Sequence, residues 1–312
     1  TGSGDYHYRY QLPKEIIDMN LNEGDEIPRG MILLWDNLSN TIIDDVILKW
    51  DDQHMSKFSI EWLKQRSFRR ENQVKYLEEN YRPSKIAWNS TTVTNIIKYY
   101  NYEEVMKSEL TLYNWMVDLA TNGVVFIKGI PHDEMHACEK LANKIGYLRK
   151  THYGEEFEIA NKPLISNLVY SSGALQLHTD LSYYEHTFGT TMLHCISEAD
   201  GNGGFSLLSD GLYHVEKLRK ENKAAFDILS KVEVNWFDKG VHQGYDFHSI
   251  FRCPIIRLDV NGNFDKLYLT VTQRDSYFSS DSKDIKEWYK AFKHLLNNFN
   301  ADTFKFKLKS GK

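Results

Sequence analysis

The sequence predicts a mainly β protein with flanking helices, in which a barrel-like or jelly-roll core follows a small β-rich N-terminal module. Three observations lead there. Strand signals dominate from 164 to 275, with turn clusters at Gly201-Asn202-Gly203-Gly204 and Asn261-Gly262-Asn263. Helical stripes frame that run on both sides. Short apolar runs separated by polar turns fill residues 29–68. A long β run framed by helices buries its faces by closing on itself or by stacking two sheets, which is what a barrel or jelly roll does.

The elements follow in order. In the module, Met31-Ile32-Leu33-Leu34-Trp35 precedes the polar turn Asp36-Asn37. Val46-Ile47-Leu48-Lys49-Trp50 is a second strand, ended by Asp51-Asp52-Gln53, and a mixed segment closes at Ile60-Glu61-Trp62-Leu63. Residues 69–104 are charged and irregular (Arg69, Arg70 and Glu71, then Asn80-Tyr81-Arg82-Pro83) and suit a linker. The chain is thus expected to divide into a module at 1–70, a linker at 71–105 and a main domain at 106–312. Leu112, Trp115, Met116 and Leu119 recur at helical spacing, and Gly123 precedes the strand Val124-Val125-Phe126-Ile127. Asp133 is the expected cap of a helix whose stripe is Met135, Cys138, Leu141, Ala142 and Ile145, closed by Gly146. Ile285, Trp288, Tyr289, Phe292, Leu295, Leu296 and Phe299 form a 3.6-period stripe. A final strand runs from Thr303 to Leu308.

The bulk properties narrow the function. A chain of 312 residues with 41% hydrophobic and 13% aromatic content can build a substantial core. A net charge of −5 argues against a nucleic-acid partner, which would call for a basic patch or stripe. No apolar run approaches the roughly 18 residues of a membrane span. Cys138, Cys195 and Cys253 are few and unclustered, which fits a reducing intracellular compartment without a disulfide framework. No secretory or transit segment is read at the N-terminus, and Thr1-Gly2-Ser3-Gly4 reads as an interior start.

The residues that carry chemistry are His178-Thr179-Asp180. On a strand, residues i and i+2 share a face, so His178 and Asp180 reach one metal ion. An imidazole and a carboxylate at this spacing supply two ligands of the facial triad that holds non-heme Fe(II). Alone the triplet is a weak signal, since a strand-end His beside a solvated Asp looks the same. Gly173 upstream, with Gly203-Gly204 and Asp210-Gly211 downstream at turn-like places, raises its weight.

Those residues belong to a larger pattern. Asn167-Leu168-Val169-Tyr170, His178-Thr179-Asp180, Leu193-His194-Cys195, Gly203-Gly204 and Asp210-Gly211 closely resemble the γ-butyrobetaine and trimethyllysine hydroxylases of carnitine biosynthesis. These are 2-oxoglutarate/Fe(II) dioxygenases of the taurine-dioxygenase-like superfamily. The resemblance runs from about Leu48 to Gly311 and includes Trp50, His54, Trp62-Leu63-Lys64 and Trp88. Tyr245-Asp246-Phe247 and Arg274-Asp275 lean toward the γ-butyrobetaine branch.

The resemblance implies a double-stranded β-helix core with Fe(II) on His178 and Asp180. 2-Oxoglutarate is the co-substrate, with Asn167 and Leu193 near it. O2 is the oxidant, ascorbate the reductant, and a C–H bond is hydroxylated. Tyr153, Phe157 and Tyr170 match an aromatic cage for a trimethylammonium group, which ring faces attract by cation–π interaction. Core packing is the bland alternative for these three rings. Phe157 stands where the family usually has Trp, a stronger partner. A homodimer and a cytoplasmic location are implied by analogy, with a mitochondrial one for the trimethyllysine branch.

Departures from the family shape three expectations. The family's distal iron His lies in a motif of which this sequence carries the opening Gly311, so the chain as given is expected to lack that His and to read as a fragment of an active enzyme. His242 and His248 match no family ligand. The family's N-terminal zinc site uses three Cys and a His; His54 matches the His, but no Cys accompanies it. Finally, Leu181, Ser197, Thr270 and Val271 replace the residues that hold the substrate carboxylate. A carboxylate buried without donors is costly, so an altered substrate follows. The alternatives are a trimethyllysine dioxygenase or related paralogue, and a non-catalytic ammonium-binding or structural module.

Overall fold

A computed structural model describes residues 32–33, 45–81, 83–131, 134–160, 174–242 and 244–310. The chain divides into two compact units, Thr1–Arg82 and Pro83–Lys312.

In the first unit, β1 (Ile32–Leu33), β2 (Asp45–Lys49) and β3 (Met55–Ser59) form an antiparallel sheet in that order. The turn expected at Asp51–Gln53 joins β2 to β3. Gln53 takes a left-handed φ of 70°, and Trp50 N donates to His54 O at 2.8 Å. Ser59 Oγ then accepts from Trp62 N at 3.1 Å and caps α1 (Ile60–Gln65), so the mixed segment is helical.

The expected linker is folded. Its first part is α2 (Arg70–Asn80), rich in the helix formers Glu, Gln, Lys and Leu. This helix buries none of its residues, so it shows no apolar stripe from which to read it. The Arg66 guanidinium lies 4.2 Å from the Trp62 ring and 5.4 Å from the Tyr76 ring, tying α1 to α2. The remainder of the segment belongs to the second unit, where Trp88, Val93, Ile97, Tyr102 and Val105 are all buried.

The second unit begins with α3 (Val93–Ile96), β4 (Lys98–Asn101), α4 (Tyr102–Lys107), α5 (Glu109–Asn122) and β5 (Val125–Lys128). Parallel pairing of β4 with β5 needs a crossover, which α4 and α5 supply. Asn101 and Ser108 cap the two helices through Glu104 N and Thr111 N. Gly123 ends α5 with φ +74°, a conformation that costs other residues strain. The next predicted helix is α6 (Ala137–Ile145), which starts after His136. Its expected cap, Asp133, lies outside the described residues.

The run expected to be mostly strand holds two helices. Asp210 does not make a simple turn with Gly211. Its carboxylate accepts from Leu212 N, Tyr213 N and Trp88 N, capping α7 (Gly211–Glu221). Asn222 caps α8 (Lys223–Lys231) in turn. Strands follow: β7 (Glu233–His242) and β8 (Tyr245–Pro254) form a ten-residue antiparallel ladder, and β9 (Ile256–Leu258) pairs with β10 (Phe264–Leu267). The long apolar stripe is α9 (Ser282–Ala301). The terminal strand β11 (Phe304–Lys307) returns to pair with β6 (Phe205–Leu208), which precedes α7. At the entry to β6, Gly204 has φ +74°, and a Cβ there would lie 2.6 Å from Ala199 Cβ, so only glycine fits.

The described strands form one three-stranded and four two-stranded sheets, with no closed barrel among them. Helices account for more of the described residues than strands. The main core lies where α9 presents Trp288, Ala291, Phe292, Leu295 and Phe299 to Val215, Leu218, Phe226 and Leu229 of α7 and α8, and to Val234, Trp236, Ile255, Ile256, Tyr268 and Leu269. Full burial of each such side chain contributes roughly 1.5–3 kcal/mol. Leu295→Ala is expected to cost about 2–5 kcal/mol of unfolding free energy in urea denaturation, since Leu295 is fully buried.

His214 of α7 is 2% exposed, and neither ring nitrogen has a hydrogen-bond partner. Burial pushes its pKa below the ordinary imidazole value, against the pull of Asp302, whose Oδ2 lies 3.6 Å from Nε2. The unfolded chain therefore binds this proton more readily than the folded one. The stabilisation is complete above about pH 6.5 and is lost as pH falls toward the depressed folded value. Thermal melts should show stability declining on acidification from pH 7 to 5, and His214→Phe should flatten that slope.

Candidate metal and ammonium site

Thr179 places the two candidate ligands. Its N donates to Leu269 O at 2.8 Å, as in an antiparallel pair. The return bond from Leu269 N goes to Thr179 Oγ1 at 2.8 Å. Thr179 O accepts from Thr270 Oγ1 at 2.5 Å, and Ser182 Oγ, fully buried, lies 2.9 Å from Thr270 Oγ1. Side-chain hydroxyls thus take the place of ladder carbonyls. For that reason residues 178–180 are not in a strand, contrary to expectation. With Thr179 turned to Leu269 and Thr270, His178 and Asp180 point to the same side. The chain then reverses at Leu181, whose φ of 51° is left-handed and costs a non-glycine residue roughly 1–2 kcal/mol. Strain of this kind concentrates at functional sites.

His178 Nε2 lies 3.2 Å from Asp180 Oδ1. On the other side of the ring, Nδ1 lies 2.8 Å from Gln176 O. A carbonyl only accepts, so Nδ1 carries a proton; Nε2 faces the carboxylate, where a proton bridges the two groups and a metal ion would take that proton's place. That orientation suits a metal-bound histidine. The Asp180 carboxylate, and secondarily the Gln176 carbonyl, raise the His178 pKa against the effect of burial. Both side chains are partly open to solvent, so an ion can reach them. The pair fits a divalent ion as two adjacent ligands. Among the described residues, no third His, Cys, Asp or Glu completes a three-donor set with it.

The aromatic candidates are partly brought together. The rings of Tyr153, which is buried, and Phe157, which is half-exposed, stack with centroids 4.9 Å apart. His152 continues the cluster, stacked on Phe247 at 4.0 Å. Asn167 and Tyr170 lie outside the described residues. Leu193 is exposed and lines a cavity of about 580 Å³ with Phe126, Cys195 and Lys307; neither ligand and neither cage ring lines it. His54 is exposed in the β2–β3 turn, and no three-donor metal set among the described residues includes it. Of the altered carboxylate positions, Thr270 is committed to Thr179 and Ser182, and Leu181 has no polar side chain to offer.

A second cavity, of about 440 Å³, includes Gln176, Leu177, Arg274 and Tyr289. Arg274 is held by Tyr289 Oη at 3.0 Å and by the carbonyl of Asp275 at 2.6 Å. The supporting roles of Gln176, Ser182 and Thr270 were not foreseen from the sequence. They act through a carbonyl and two hydroxyls, residue types too common to stand out.

An imidazole and a carboxylate set side by side are two of the ligand types found in mononuclear metal-dependent enzymes. The description "Taurine catabolism dioxygenase TauD, TfdA family" matches residues 90–312, and the chain belongs to that family of dioxygenases. It is 31% identical over 264 residues to the γ-butyrobetaine dioxygenase of Homo sapiens, covering 85% of this chain and 67% of the relative. It is 29% identical to the γ-butyrobetaine dioxygenase of Pseudomonas sp. (strain AK-1), with the same coverage. Against the mitochondrial trimethyllysine dioxygenase of Bos taurus identity is 25%, covering 84% of this chain and 62% of the relative. Family membership carries dependence on Fe(II) and 2-oxoglutarate. Among the described residues, no helix is long and apolar enough to cross a membrane.

Thr179→Val keeps both ligands but removes the acceptor of Leu269 N. It is expected to cost about 1–3 kcal/mol of stability and to weaken Fe(II) binding about tenfold, read by urea denaturation and by metal titration.

Proposed function

We propose that the protein hydroxylates a small trimethylammonium substrate, γ-butyrobetaine foremost, with Fe(II), 2-oxoglutarate and O2. The observation that carries this is the His178–Asp180 pair, oriented by the Gln176 carbonyl, in a chain of the TauD/TfdA family. In this reading the family's jelly-roll core houses the site. His178 and Asp180 hold the iron, which with 2-oxoglutarate and O2 supplies the hydroxylating chemistry. Asn167 and Leu193 contribute to the co-substrate site, and ascorbate maintains the reduced metal.

The protein's own side chains then select the substrate. In this reading Tyr153, Phe157 and Tyr170 are the rings that attract the ammonium group, and the nearness of Tyr153 to Phe157 supports it. A quaternary ammonium has no N–H to donate, so ring faces compete well with water for it. Leu181 and the committed hydroxyl of Thr270 offer a substrate carboxylate few donors, so a related trimethylammonium compound is the alternative to γ-butyrobetaine. Similarity to the bovine trimethyllysine dioxygenase makes trimethyllysine the second substrate to test. A homodimer, a cytoplasmic location and a role in carnitine biosynthesis belong to the same proposal.

The test is succinate and hydroxylated product, followed by NMR with γ-butyrobetaine and trimethyllysine. Succinate coupled to either supports the reading, and none with both sinks it. Asp180→Ala is expected to lower turnover by more than about a hundredfold, since outer-shell changes alone cost up to that much. Phe157→Trp is expected to lower KM for the ammonium substrate about twofold to fivefold, because Trp is the stronger cation–π partner.

A further inference from the structure

We propose that His136, Glu139 and Glu156 form a second divalent-cation site, separate from the His178–Asp180 pair and suited to Zn2+ or a similar borderline metal. His136 Nδ1 lies 3.0 Å from Glu156 Oε2 and 3.3 Å from Glu139 Oε2. One donor atom from each residue lies within 4.8 Å of the other two, the only such three-residue set among the described residues. His136 and Glu139 stand one turn apart at the start of α6, so their side chains share a face. Glu156 comes from the loop beyond the helix. Its second oxygen accepts from Glu139 N at 2.8 Å, which fixes the carboxylate and leaves Oε2 turned toward the other donors.

A salt bridge with a helix cap is the simpler account, and it explains only part of this. One N–H aims at one acceptor, yet two carboxylates converge on the same ring nitrogen. A cation at that point is attracted to both and accepts the nitrogen lone pair as well. The donor set decides the class of metal. One imidazole and two carboxylates, with a water completing the shell, suit Zn2+ and its neighbours, whereas Mg2+ prefers oxygen alone. Two carboxylates also balance the ion's double charge. Such an ion would fasten the loop that carries Tyr153 and Phe157 to α6. That consequence rests on the reading of those rings as an ammonium cage; the metal site does not.

Calorimetric titration with Zn2+, and the visible spectrum with Co2+, test the site without any turnover. The background is Asp180→Ala, which disables the iron pair. This variant is expected to bind one equivalent of Zn2+ and to give a Co2+ d–d band. Adding His136→Ala, or the conservative Glu156→Gln, should weaken Zn2+ binding by about tenfold or more and remove the band. Circular dichroism and melting in EDTA should stay unchanged for Glu156→Gln. The proposal is overturned if Asp180→Ala binds no Zn2+, if both added substitutions leave binding intact, or if Mg2+ binds equally well.

Discussion

The hydroxyl of Thr179 occupies the place where a β-ladder would have put a backbone carbonyl, and the candidate iron site follows from that exchange. Thr179 Oγ1 accepts from Leu269 N while Thr179 O accepts from Thr270 Oγ1. Every polar group of this residue is thereby committed away from the metal side. His178 and Asp180, one residue to either side, are left pointing together. A regular strand would give the same alternation; here the chain also turns sharply at Leu181.

The anchor is rigid because of what lies behind it. Tyr268, Leu269 and Thr270 are almost wholly buried, packed into the core that α9, α7 and α8 build. Buried groups there cannot give up a hydrogen bond without leaving a donor unsatisfied, at a cost of about 1–3 kcal/mol. The His178–Asp180 pair is therefore partly open to solvent at its side chains and fixed at its base.

Electrostatics at the start of α6 and in the loop that follows repeats the theme on a smaller scale. A carboxylate is oriented by a backbone N–H and then presented to an imidazole. The same loop carries the stacked pair Tyr153 and Phe157, so charge and aromatic surface are set by one short segment. His214 shows the opposite choice. It is buried without a hydrogen-bond partner, and the fold keeps it neutral at the expense of stability in acid.

The sequence by itself determined the elements whose apolar faces repeat: α5, α6, α9, the β2–β3 hairpin and the terminal strand. It also pointed to the His178–Asp180 juxtaposition, because residues at i and i+2 share a side in an extended segment. Two kinds of feature were not legible. Helix α2 buries nothing, so no periodicity marks it, and α7 and α8 were masked by turn-like Asp210-Gly211 and by the strand signals around them. Only the tertiary structure decided that Thr179 bonds to Leu269 and Thr270, some ninety residues away, and that Glu156 reaches back to His136 and Glu139. Those contacts depend on where distant segments meet, and local pattern carries no record of that.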